Sequence, residues 1–220
     1  WDNEASVLLG DFLFSHAFYL ASTQGSPLAC QIIGHATNVV CEGEIRQKGS
    51  QADYALDEAT YFEILDAKTA ALCACCCQLG AHFAGATEAL TQQLTQYGRK
   101  LGIAFQIADD LLDVVGDETT VGKSLGSDLA KQKPTLPLIR ALQTADPAQR
   151  EAILAALHED PQESVVTLRA IFRRLDVIRY TRESAESFAH QAREHLTQLP
   201  DSPAKESLQN MALFAVSRSF

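Results

Sequence analysis

Apolar residues recur at helical spacing along nearly the whole chain. Val7, Leu8, Phe12, Phe18 and Tyr19, with Ser15 among them, mark a first helix that Gly25-Ser26-Pro27 ends. Pro27 suits the first turn of a second helix, to about Lys48. Asp57 caps a third, Glu58 to about Phe83, and Thr87 caps a long fourth. The fourth has the clearest stripe: Leu90, Leu94, Tyr97, Leu101, Ala104, Phe105, Ala108 and Leu112. Gly116 to Lys133 break the pattern, and an irregular stretch of that length is usually functional or mobile. Pro134 starts a short helix to about Thr144, and Asp146-Pro147 and Asp160-Pro161 open two more. A charged helix follows from about Leu175 to Leu199, and a last one from Pro203 to about Ser217. Runs of β-branched residues with period-two alternation are absent. The expectation is a single all-α domain over residues 1–220.

Composition narrows the function. The chain has 220 residues, enough for one good-sized core, and it is 46% hydrophobic and 21% charged. Its formal net charge of −10 argues against nucleic acid, which needs a basic surface. A small anionic substrate remains open if metal ions mediate. Six cysteines include Cys73, Cys75, Cys76 and Cys77 in one small-residue apolar run. Residues 73, 76 and 77 share a helical face, which suits packing better than a closed tetrahedral metal site. Reduced thiols fit a cytoplasmic compartment. No signal peptide is visible at Trp1-Asp2-Asn3-Glu4. Lys68, Gln78 and His82 interrupt the longest apolar run, so no transmembrane segment is expected.

The chemistry concentrates at the end of the fourth helix. Asp109 and Asp113 stand four apart and project from one face, Gln106 lies a turn earlier, and Asp110 flanks them. Acids at a helix C-terminus oppose the dipole, so three within five residues look purposeful. Two hard oxygen donors at this spacing suit Mg²⁺, which takes one or two carboxylates together with substrate phosphates and water. An EF-hand fails, because the third and sixth positions from Asp109 are Leu111 and Val114. Lys123 and Lys133 flank the glycine loop, where they could close over phosphate. Each alone reads better as a solvated lysine. Lys68-Thr69 sits in a helix otherwise rich in Ala, Leu and Cys, and the lysine there either snorkels to the surface, the reading its surroundings favour, or meets an anion. Glu42-Gly43-Glu44-Ile45-Arg46-Gln47 closes the second helix and faces either the same cavity or solvent. The six histidines show no ligand spacing, and no nucleophile motif accompanies Ser, His and Asp.

Phe105-Gln106-x-x-Asp109-Asp110-x-x-Asp113, Gly122-Lys123, Gly126-x-Asp128 and Lys133-Pro134-Thr135-Leu136-Pro137 together resemble the second aspartate-rich region of the trans-polyprenyl diphosphate synthases. The likeness extends to Leu8-Leu9-Gly10-Asp11-Phe12-Leu13, Glu42-Gly43-Glu44-Ile45-x-Gln47, Ala67-Lys68-Thr69-Ala70 and Tyr97-Gly98-x-x-Leu101-Gly102. Ala215-Val216-x-Arg218 is similar to the end of long-chain, octaprenyl-type members. The resemblance implies an isoprenoid-synthase-type helical bundle around a central cavity, working as a homodimer. It implies Mg²⁺ on Asp109, Asp110 and Asp113, with Lys68, Thr69, Gln106, Lys123 and Lys133 on the diphosphate of an allylic substrate. Asp109, Asp110, Asp113, Lys68 and Lys123 are the implied catalytic set. The implied reaction joins isopentenyl diphosphate to that allylic diphosphate head to tail and gives a longer trans-prenyl diphosphate. Apolar helix faces would form a tunnel for the growing chain.

The family also carries a first aspartate-rich motif and basic residues for isopentenyl diphosphate on earlier helices, and the likeness begins just after them, at Trp1-Asp2-Asn3. The expectation is therefore a chain without its N-terminal third, and a poor catalyst alone. Turnover of farnesyl plus isopentenyl diphosphate by these 220 residues at an ordinary enzyme rate would contradict that expectation. A non-catalytic or regulatory subunit of the same fold, and a terpene cyclase, are the alternatives. The Gly-Lys and Lys-Pro-Thr-Leu-Pro elements favour a synthase over a cyclase. A helical binding module that takes no diphosphate would show no heat with Mg²⁺ and diphosphate in calorimetry.

Overall fold

The computed structural model describes residues 2–115 and 126–217. Trp1, Gly116, Gly122, Lys123 and Arg218 lie outside them. Eleven α-helices follow one another among the described residues: α1 Asn3–Thr23, α2 Pro27–Gly49, α3 Glu58–Leu65, α4 Ala71–Phe83, α5 Glu88–Val115, α6 Ser127–Ala130, α7 Leu136–Thr144, α8 Pro147–Ala156, α9 Pro161–Arg174, α10 Val177–Glu194 and α11 Pro203–Val216. No strand occurs among them.

Side-chain caps set several of these starts. Ser26 accepts from Ala29 N–H ahead of α2, Asp57 from Thr60 ahead of α3, and Asp146 forms a full capping box with Gln149 at α8. The helix expected from Glu58 to Phe83 is not continuous. A π-helical turn, Asp66–Ala70, inserts between α3 and α4 and carries Lys68 and Thr69. The short helix expected at Pro134 begins at Leu136, with Thr135 in extended conformation before it.

α5 is the central element. Its stripe packs against α4 on one side and α10 on the other, with α7, α3 and α11 closing the ring. Tyr61, Leu65, Ile107, Ala108 and Leu136 meet in one core cluster beside the metal-motif helix. Val114, Leu138, Ile153, Leu168 and Phe172 form another at the C-terminal end of α5.

α1 differs from the other long helices. Of its residues only Ala21 is buried, and Val7, Leu8, Phe12, Leu13 and Phe14 are all exposed. Among the described elements its only neighbour of substance is α2. The expectation that no run reaches membrane-spanning length is overturned: Asn3–Thr23 and Glu58–Phe83 are both long and apolar enough by length and composition. Interrupting polar residues do not cancel the hydropathy of their apolar neighbours along these helices. The second of these lies substantially inside the fold, as a core helix does.

Candidate active site

Two glycines allow three segments to approach closely. A Cβ on Gly43 would stand 2.5 Å from the Lys68 backbone nitrogen, and one on Gly102 would stand 2.6 Å from Ala70 Cα. Bare backbone at these positions seats both α2 and α5 against the π-helical turn. Arg99 adds an ion pair from α5 to Asp66 at 3.0 Å. The sequence elements Glu42-Gly43-Glu44 and Tyr97-Gly98-x-x-Leu101-Gly102 thus have a shared consequence: they gather Glu44, Gln47, Lys68, Thr69 and Gln106.

Lys68 does not snorkel. Its ammonium donates to Gln47 Oε1 at 2.7 Å and pairs with Glu44 Oε1 at 3.3 Å. Thr69 Oγ1 donates to Gln106 Oε1 at 3.0 Å, and Gln106 Nε2 donates to Asp110 Oδ1 at 2.9 Å. Lys133 Nζ reaches the same Oδ1 at 3.1 Å and Asp128 Oδ2 at 3.1 Å. Tyr61 hydroxyl donates to Asp110 Oδ2 at 2.8 Å, and Asp128 N–H donates to Asp113 Oδ2 at 2.9 Å. A connected polar network therefore runs from Thr69 to Asp113, with Asp110 at its centre.

This network sets the protonation states. Burial alone would push the Lys133 ammonium down, but Asp110 and Asp128 outweigh it and hold the group above the ordinary lysine range. Burial and the nearby Asp110 charge raise the Asp128 carboxyl despite Lys133, and Asp113 adds to the rise. Burial, then Asp110, pushes the Tyr61 phenol well above its usual value. Lys133 is thus a permanent cation at neutral pH, and Tyr61 a permanent donor.

Asp109 is half-exposed and Asp113 is buried, one helical turn apart on α5. Among the described residues no three His, Cys, Asp or Glu side chains converge into a preformed metal cage. Hard carboxylate oxygens that do not close a shell by themselves fit an ion of the Mg²⁺ kind, which completes its shell with phosphate oxygens and water. Asp110, expected beside them as a ligand, has a fully buried side chain that accepts from Tyr61, Gln106 and Lys133 and so anchors Lys133 and Gln106. Lys123 falls outside the described residues. Of the second-helix acids, Glu44 faces the cavity with Gln47, while Glu42 is exposed elsewhere.

A cavity of about 480 Å³ opens in front of this network, lined among the described residues by Glu44, Gln47, Lys48, Gln51, Lys68, Asp128, Lys131 and Lys133, with Ile45. A profile described as "Polyprenyl synthetase" matches residues 1–175.

The chain belongs to the polyprenyl synthetase family.

It is thereby a prenyltransferase enzyme. The octaprenyl diphosphate synthase of Haemophilus influenzae is 36% identical over 219 residues, which cover 99% of this chain and 67% of that protein. A crystal structure of polyprenyl synthase from Caulobacter crescentus CB15, complexed with calcium and isoprenyl diphosphate, superposes with a TM-score of 0.91 at 35% identity over 100% of this chain and 68% of that one. A decaprenyl diphosphate synthase from Rhodobacter capsulatus gives a TM-score of 0.89 at 35% identity, covering 99% of this chain and 68% of that chain.

Asp128 and Tyr61 are among the residues of this polyprenyl synthetase site that the sequence reading did not single out as site residues. Asp128 had a signal, since Gly126-x-Asp128 belongs to the motif. Tyr61 had none: it lies 49 positions from the carboxylate it serves, on a helix with no motif of its own.

Proposed function

We propose that the protein catalyses Mg²⁺-dependent head-to-tail condensation of isopentenyl diphosphate with an allylic diphosphate, giving a trans-prenyl diphosphate. The observation that carries this reading is the Thr69–Gln106–Asp110–Lys133 network, which holds a protonated lysine at the wall of a lysine-lined cavity. Asp109 and Asp113 would hold Mg²⁺, which would supply positive charge opposite the leaving diphosphate.

The chain's own groups then have distinct tasks. Lys133, kept cationic by Asp110 and Asp128, faces the oxygens on which negative charge grows as the allylic C–O bond breaks. Lys68 reaches the same cavity from the π turn, and Thr69 brings a hydroxyl whose direction Gln106 fixes. A second cavity of about 270 Å³ between α2, α4 and α5 has an apolar side of Leu28, Ile32, Ala36, Val39, Ala71 and Ala74, which suits a prenyl hydrocarbon, beside polar groups that include Gln31, His35, Gln78 and Arg99. We further place the enzyme in the cytoplasm as a homodimer. The six cysteines are free, as in a reducing compartment, and the exposed apolar stripe of α1 offers a surface for a second copy.

The test is calorimetric titration with an unreactive allylic analogue, farnesyl thiolodiphosphate. Binding is expected only with Mg²⁺ present and is expected to be lost in Asp109→Asn/Asp113→Asn. Binding of equal strength with and without the metal would overturn the reading. Formation of a cyclic hydrocarbon from farnesyl diphosphate would favour a cyclase instead.

A further inference from the structure

The four lysines of the larger cavity are not equivalent. Lys133 is compensated by both Asp110 and Asp128, and Lys68 by Glu44. An anion that enters gains little net charge from either, because protein carboxylates already neutralise them. Among the described residues Lys48 and Lys131 have no hydrogen-bond or ion-pair partner for their side chains, yet both line the same cavity. They supply the excess of positive charge over Glu44 and Asp128 in the wall, within a chain whose net charge is −10.

The backbone brings these two lysines to one rim. Lys48 ends α2, and Lys131 sits in the turn after α6. Ala52 N–H donates to Gln132 C=O at 2.8 Å and ties the two segments together. Both residues of that bond are left-handed without being glycine, Ala52 at φ 60° and Gln132 at φ 52°. Only Asp176 shares this conformation among the described non-glycine residues. Such a conformation is costly for a residue with a Cβ and persists where the surroundings enforce it, often at ligand clamps. Here one of the two residues, Gln132, directly follows Lys131, and the other, Ala52, lies four positions after Lys48.

We propose that Lys48 and Lys131 form the anion-recruiting pair of the cavity: they supply the net attraction for a diphosphate group, which Lys68 and Lys133 then orient. This rests on the reading of the cavity as a diphosphate site. It assigns a binding role to two residues that lie in none of the sequence motifs.

Both side chains are exposed, so Lys48→Gln and Lys131→Gln should fold as the parent does, which circular dichroism checks. The probes are inorganic diphosphate, farnesyl thiolodiphosphate and isopentenyl diphosphate, each titrated with Mg²⁺ at low and high salt. The double variant is expected to bind inorganic diphosphate about tenfold or more weakly, with a flatter salt dependence, because two unpaired charges at the rim are gone. Lys100→Ala, whose ammonium lies over the Phe188 ring, is the control and should bind as the parent does. Where inorganic diphosphate is weakened, a matching loss of farnesyl thiolodiphosphate but not isopentenyl diphosphate would give the pair to the allylic substrate, the reverse to the second substrate, and either supports the pair. If the parent binds diphosphate and the double variant binds it within twofold, this inference falls while the diphosphate site stands. If the parent binds none of the three probes, both fall.

Discussion

Lys133 holds its proton between two carboxylates, and the cost of disturbing that arrangement depends on which partner is removed. Asp110→Asn takes away a fully buried charge and leaves Lys133 and the Tyr61 hydroxyl under-compensated. Loss of about 3 kcal/mol or more of stability is expected, read from the urea midpoint. Tyr61→Phe removes one hydrogen bond to that charge and should cost roughly 1.5–3 kcal/mol. Asp109→Asn behaves differently: its side chain is half-exposed, so its stability loss should be smaller than that of Asp110→Asn while Mg²⁺-dependent binding of an allylic diphosphate falls at least tenfold. A variant Asp109→Asn that binds as the parent does would remove it from the metal site. Two neighbouring aspartates thus differ in burial, and these variants test whether they differ in role.

The site is assembled by helix contacts at bare backbone. α5 lies against the π turn at Gly102, where a Cβ would meet Ala70 Cα at 2.6 Å. The obstacle is backbone rather than a flexible side-chain end, so the helices must separate. Gly102→Ala should cost about 1–3 kcal/mol and should weaken diphosphate binding as well, because Thr69 then loses its reach to Gln106. Thermal unfolding alongside calorimetry checks both halves of that expectation. α1 meets a different test. If its exposed apolar stripe seats a second copy, Leu8→Asp/Phe12→Asp should convert a dimer to a monomer in analytical ultracentrifugation, with helical content retained. An unchanged sedimentation coefficient would assign the stripe elsewhere. The order of helices was readable from periodicity and caps, since both act within a turn or two. The π turn was not: it adds no unusual residue, and Ala, Lys and Thr fit an ordinary helix equally well.

At the scale of the whole molecule, several buried groups lean the same way with pH. Burial, with Cys73 and Cys76 beside it, pushes the Cys77 thiol from 9.0 to about 11. Burial also raises the phenols of Tyr61 and Tyr97, and the acids around Lys133 raise its ammonium. In each case the folded state holds a proton more tightly than the unfolded chain. Stability must therefore fall as pH rises, first above about 9 as the unfolded Cys77 ionises, then further as the tyrosines and Lys133 titrate. The urea midpoint should drop between pH 8 and pH 10.5, and Cys77→Ser should flatten the first part of that drop only. A midpoint constant over this range would contradict the buried placement of these groups.

The sequence by itself determined the helical class, the order of the helices, the family resemblance, and the presence of acids and lysines suited to metal-bound diphosphate. All of these depend on residue identity and short spacing. Only the tertiary structure decided how those residues divide the work. It buried Asp110 and left Asp109 half-open, turned Lys68 inward, recruited Tyr61 from 49 positions away, and left Lys48 and Lys131 uncompensated. The physical reason is that charge compensation and burial belong to pairs of residues far apart in sequence. Those pairs exist only once Gly43 and Gly102 have let three backbones come into contact.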